Sequence, residues 1–212
     1  MDTGRLRLTS GRLILAGAGL IAAAFVAVPV LTAIWPGGLA GYLTVLALYW
    51  VLFCVPVGLL SGAFARGMSL RVGRAVWVPV VVLVQALSYV AYGLTKGLAD
   101  VPLELLALGA LLAFINAPLE EFAWRGAYIS VARRNPLIQA VGVWLFALWH
   151  IPLMLAAGVT FGESAVTVVF GTAVLGTVWA VAAFWTGAVG WPIVGHVIVN
   201  MVAMPGLLAA NM

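Results

Sequence analysis

The strongest constraint on this chain is the recurrence of apolar runs long enough to cross a bilayer. A spanning helix needs about 20 apolar residues. Seven segments approach or exceed that length: 13–31, about 42–60, 76–94, about 102–132, 137–155, 165–185 and 192–208. In lipid every backbone N–H and C=O must be satisfied internally, so long continuous runs of this kind become helices. The segment 102–132 is longer than one span requires and contains Pro118, so it reads as one bent helix or as two. The expectation is an all-α polytopic membrane protein of about 7–8 transmembrane helices. It forms one membrane domain over residues 1–212, with a motif-bearing core at 118–200.

Charge usage supports this class. Only 8% of the 212 residues are charged, against about 25% in soluble domains. Such a surface cannot face water, which excludes a soluble enzyme and a disordered chain. A net charge of +4 from scattered basic residues also gives no nucleic-acid-binding patch. The single cysteine, Cys54, excludes an internal disulfide and a cysteine-based zinc site.

The loops assign the sides. Arg5, Arg7 and Arg12 precede the first run, Arg66, Arg71 and Arg74 separate the second and third, and Arg133 and Arg134 separate the fourth and fifth. The other side carries Lys96 with Asp100, Glu104 and Glu163. The positive-inside rule then places the N-terminus in the cytoplasm. Nine arginines against one lysine suit a GC-rich bacterium, so the expected location is a bacterial inner membrane. The first run exceeds the roughly 7–15 residues of a signal-peptide core and reads as a retained span. The G-x-x-x-G pairs Gly37/Gly41, Gly58/Gly62 and Gly93/Gly97 read as helix contacts or loop turns, and Gln85 as an interhelical polar group.

Three polar clusters interrupt the apolar runs: Glu120, Glu121 and Arg125; Phe146 and His150; His196 and Asn200. Ionisable groups inside a span cost about 2.5–3.5 kcal/mol each on insertion scales, so their retention points to function. Glu121 and Arg125 are four apart and share a helix face, as do His196 and Asn200. Glu120 lies 14 residues before Arg134, and His150 lies 14 residues after Pro136. Both are therefore ~21 Å from the same turn, and His196 and Asn200 lie ~9–15 Å from the turn before the last run. The expectation is convergence in the cytoplasmic half of the bilayer. A carboxylate and two imidazoles in one apolar cavity could activate a water, bind a metal or relay protons. The H-E-x-x-H spacing of helix-borne zinc sites is absent.

At these residues the chain resembles the CAAX-type prenyl protease and bacteriocin-processing (CPBP, or Abi) family of intramembrane proteases. That family carries E-E-x-x-x-R, F-x-x-x-H and H-x-x-x-N in this order. Here they read Glu120-Glu121 to Arg125, Phe146 to His150 and His196 to Asn200. The resemblance implies about eight membrane helices around a cytoplasm-facing intramembrane cavity, and peptide-bond hydrolysis. It implies that Glu120 with His150 activates the water, that His196 and Asn200 stabilise the oxyanion, that Glu121 and Arg125 hold the site together, and that Phe146 packs beneath it. It implies a membrane-associated peptide or protein substrate and no cofactor. The alternative is zinc held by Glu120, His150 and His196. Two other readings stay open: a non-catalytic scaffold or bacteriocin self-immunity protein of the same fold, and a proton-coupled transporter.

Overall fold

In the computed structural model, residues 8–35, 38–133 and 135–212 are described. Arg5, Arg7, Gly37 and Arg134, used above for orientation and spacing, lie outside them. Among the described residues seven helices are long and apolar enough to span a membrane. They are α1 (Ser10–Ile34), α2 (Leu39–Leu60), α3 (Val78–Thr95), α4 (Leu103–Ala132), α5 (Pro136–Leu153), α6 (Ala165–Thr186) and α7 (Gly190–Ala209). The stretch 102–132 is thus one helix of 30 residues, which makes the number of spans seven where the family resemblance implied about eight.

Local sequence accounts for the starts of several helices. Thr9 caps α1 through the Arg12 N–H, Asn135 caps α5 through the N–H groups of Leu137 and Ile138, and Ser164 caps α6 through that of Thr167. Pro136 follows its cap at the first position of α5, where its missing N–H costs nothing. Two prolines act differently. α4 continues through Pro118 and widens into a π turn at Phe122–Gly126, and α2 has a π turn at Trp50–Cys54 just before Pro56. A proline inside a helix removes a backbone donor, and a π turn is one way for the ladder to resume.

α7 is the most buried of the seven and packs against α3, α4 and α6. α5 lies between α1 and α6. The outward faces carry large apolar side chains such as Leu15, Leu52, Val84, Phe114, Trp144 and Phe170. The buried set includes Asn116, Glu120, Glu121, Arg125, Gln139, His196 and Asn200. This apolar-out, polar-in distribution suits a lipid solvent.

Tertiary contacts define two ends of the bundle. At one end Arg66 Nε donates to Ser130 Oγ at 2.7 Å, and Trp191 Nε1 donates to Leu70 O at 2.9 Å. At the same end Arg133 donates to the carbonyls of Phe184 and Trp185. Those carbonyls belong to the last turn of α6, where a cation is favoured. Gly187 caps that turn at φ 72°, and a Cβ there would stand 2.8 Å from the Arg133 guanidinium carbon. At the opposite end Lys96 pairs with Glu163 at 3.2 Å, and the Tyr92 hydroxyl also donates to Glu163. The Tyr92 hydroxyl, and then Lys96, hold the Glu163 carboxyl below the usual carboxylate range. That contribution is complete above the ordinary carboxylate pKa and is lost as pH falls through the lowered value.

The α4–α7 contact depends on Gly109, where a Cβ would stand 2.5 Å from Pro205 Cδ and 2.7 Å from its backbone nitrogen. A proline backbone cannot yield as a flexible side chain does. Gly109→Ala is expected to destabilise the protein by about 1–3 kcal/mol through overpacking, read as a lower Tm of the detergent-solubilised protein. An unchanged Tm would show that α4 and α7 can separate at no cost.

Candidate active site

The three polar clusters meet where α4, α5 and α7 approach one another, with α6 closing one side. Glu121 is fully buried, and Arg125 is 1% exposed. Their helical spacing of four lets Arg125 Nη1 donate to Glu121 Oε1 at 3.0 Å. The same oxygen faces His196 Nδ1 from α7 at 2.8 Å. Glu121 therefore joins α4 to α7 and orients the His196 ring. With Nδ1–H donating to Glu121, His196 turns Nε2 toward Glu120 Oε2 at 3.4 Å. One imidazole thus lies between two carboxylates.

Aromatic rings enclose this polar core. The Trp179 ring of α6 stacks on His196 at 4.3 Å between centroids and 18° between planes. The Arg125 guanidinium carbon lies 4.0 Å from the centroid of the Phe146 ring and 5.3 Å from that of Trp179. A cation over an aromatic face is stabilised by the ring quadrupole, more so when desolvated. Gly176 makes the approach possible, because a Cβ there would lie 2.7 Å from Arg125 Nη2 and 3.2 Å from Phe146. Phe146 also meets His150 and His196 edge-on, at 4.9 and 6.1 Å. It is the ring that both histidines share.

Glu120 is 3% exposed and is held from a direction that the motifs did not show. Asn116 Nδ2 donates to Glu120 Oε2 at 3.0 Å, and Trp50 Nε1 donates to Asn116 Oδ1 at 2.7 Å. Trp50 stands at the start of the π turn of α2. Sequence reading missed both residues. Asn116 was findable: it is a polar residue in an apolar helix, four before Glu120 and hence on the same face. Trp50 had no signal, because nothing in its surroundings sets it apart from the other tryptophans.

His150 stands apart from this network. Its Nδ1 faces Phe146 O at 2.9 Å, the i−4 carbonyl of its own helix. With that bond donated, Nε2 keeps a free lone pair. His150 is half-buried and lines a cavity of about 540 Å³. Among the described residues Glu120 pairs with Asn116 and His196 and makes no hydrogen bond or ion pair with His150. Asn200, one turn beyond His196, is buried, and its Nδ2 has no hydrogen-bond partner among the described residues. Such a donor stands ready for an acceptor that the protein itself does not provide.

Depth differs from the expectation. The clusters do converge, but His150 is three residues before the end of α5 at Leu153. It therefore lies in the half of the bundle remote from the arginine-rich turns. A span of 18 residues rises only ~27 Å, so ~21 Å from one end is close to the other.

The zinc alternative can be tested on the ligands. Among the described residues no three His, Cys, Asp or Glu side chains form a group that could hold a metal ion. Each histidine points Nδ1 at an acceptor, Glu121 for His196 and Phe146 O for His150, and keeps Nε2 for another partner. As placed, Glu120, His150 and His196 do not come together as a metal-binding group.

Residues 102–202 match the family described as Type II CAAX prenyl endopeptidase Rce1-like. The match covers all three motifs. No curated protein and no solved structure matches the chain.

The ion pair yields a stability test. Removing one member of a buried pair strands the other, at a cost of about 3–5 kcal/mol. Arg125→Met is expected to lower the Tm substantially, and Arg125→Met with Glu121→Gln to recover part of the loss. A double variant no more stable than the single one would mean that Arg125 acts through Phe146 and Trp179 rather than through Glu121.

Proposed function

We propose that this chain, whose residues 102–202 match the Rce1-like CAAX endopeptidase family and which carries seven helices long and apolar enough to span a membrane, is an intramembrane endopeptidase working through Glu120, His150, His196 and Asn200. The observation that carries the reading is the His196 imidazole between Glu120 and Glu121, beside an unpartnered Asn200 amide. A structural ion pair needs Glu121 and Arg125 alone. It does not need a second buried carboxylate, an open histidine at a cavity and a spare amide donor.

The reaction follows from those atoms. Glu120, held by Asn116, takes a proton from a water that also donates to His150 Nε2. The resulting hydroxide adds to the carbonyl carbon of the scissile peptide. The negative charge moves to the carbonyl oxygen, where Asn200 Nδ2 and a ring N–H of His196 donate hydrogen bonds. The proton on Glu120 passes to the leaving nitrogen, and the C–N bond breaks. Base and acid are then one residue acting in turn. Glu121 and Arg125 position His196, and Phe146 keeps both imidazoles in register. The substrate is a membrane-associated peptide or protein, and the chemistry needs no metal.

Glu120→Gln is nearly isosteric and keeps an acceptor for Asn116, so the fold should survive. Peptide cleavage is expected to fall by a factor of about 10²–10⁴. N-terminal peptide profiling of membranes from cells expressing wild type or Glu120→Gln reads this directly. Identical profiles would overturn the endopeptidase reading. Metal independence has its own measurement. Cleavage should persist in a strong chelator, and inhibition that added zinc reverses would return Glu120, His150 and His196 to the role of ligands.

A further inference from the structure

The arginine-rich turns and the cavity that reaches His150 lie at opposite ends of the bundle. Arg12, Arg66, Arg71, Arg74 and Arg133 all belong to the end joined by the Arg66–Ser130, Arg133–Phe184 and Trp191–Leu70 bonds. The cavity of about 540 Å³ is lined by Lys96, Phe161 and Glu163, with exposed Lys96 on its open side, and by the half-buried His150. Tyr42, Tyr89 and Met154 contribute to the wall. Apart from His150, the ionisable lining groups among the described residues are those tyrosines with Tyr92, and the Lys96–Glu163 pair.

Positively charged loops are retained in the cytoplasm. We infer that the cavity opens on the extracytoplasmic face, and that the site takes an apolar polypeptide segment presented from that side. The inference rests on the endopeptidase reading of the same site. The wall suits such an occupant. Tyrosine and apolar side chains accept apolar substrate side chains while leaving hydroxyls for the substrate backbone. The single charge pair stands at the rim, where water and headgroups can reach it. The free lone pair of His150 Nε2 then meets the segment within the cavity.

Two arms test this, both on the full chain with Cys54→Ala. Gly162 is exposed, and a Cβ there meets nothing within 4 Å, so Gly162→Cys marks the mouth without disturbing it. Ala65 is exposed at the arginine-rich end, so Ala65→Cys marks the other side. In spheroplasts of a bacterial host, a membrane-impermeant maleimide is expected to label Gly162→Cys directly and Ala65→Cys only after permeabilisation. The reverse pattern overturns the assignment of sides. The second arm fills the cavity: Ala203, exposed on its wall, is replaced by tryptophan. Ala203→Trp is expected to cut cleavage by about tenfold or more with an unchanged Tm. Undiminished cleavage overturns the cavity as the route. The labelling arm does not depend on catalysis. If wild type cleaves nothing while Gly162→Cys labels from outside, the endopeptidase reading falls and the orientation stands.

Discussion

Charge inside a bilayer must be paired, and the rest of this structure is arranged around that requirement. Glu121 and Arg125 sit at 0% and 1% exposure with one hydrogen bond of 3.0 Å between them. A pair of this kind gains little over an apolar pair, yet breaking it is expensive. It therefore acts as a constraint on its neighbours. Glu121 must accept from His196, which ties α4 to α7. Arg125 must spread its charge over Phe146 and Trp179, which draws in α5 and α6. Gly176 must lack a side chain to leave room for it. Four helices are thus set in register by one ion pair.

The same constraint separates the roles of two adjacent carboxylates. Glu121 is engaged twice through one oxygen, Oε1, by Arg125 and by His196. Glu120, one residue earlier, points about 100° away around the helix. It is held by the Asn116 amide rather than by a guanidinium. Asn116 is held in turn by Trp50 from the π turn of α2. Neutral hydrogen bonds thus reach Glu120 Oε2 from α2 and its own helix, while His196 Nε2 faces the same oxygen from α7 at 3.4 Å. The π turns near Pro56 and Pro118 lie beside these hydrogen bonds: Trp50 opens the first, and the second follows Glu121.

Apolar packing and polar chemistry meet at Phe146. Its ring faces a guanidinium on one side and the edges of two imidazoles elsewhere. His150 is turned by its own helix carbonyl so that one nitrogen remains free toward the cavity. The two histidines therefore differ in kind. His196 is enclosed between carboxylates under Trp179, and His150 stands at the boundary between site and cavity.

The sequence by itself determined a great deal, because a membrane span is a one-dimensional object. Seven apolar runs gave seven helices within a few residues of their expected ends, since lipid leaves the backbone no other way to satisfy its hydrogen bonds. Spacing alone also paired Glu121 with Arg125, because residues four apart share a helix face. Other features depended on distances between helices. The 102–132 stretch became one helix because a π turn, invisible in composition, carries the ladder beyond Pro118. Asn116 and Trp50 joined the site across 66 residues of chain, and no local pattern encodes such a contact. The direction in which the cavity opens was decided by where α5 ends relative to α3 and α7. Counting residues from one turn places His150 along its own helix. Only the packed bundle shows which end of the molecule that position faces.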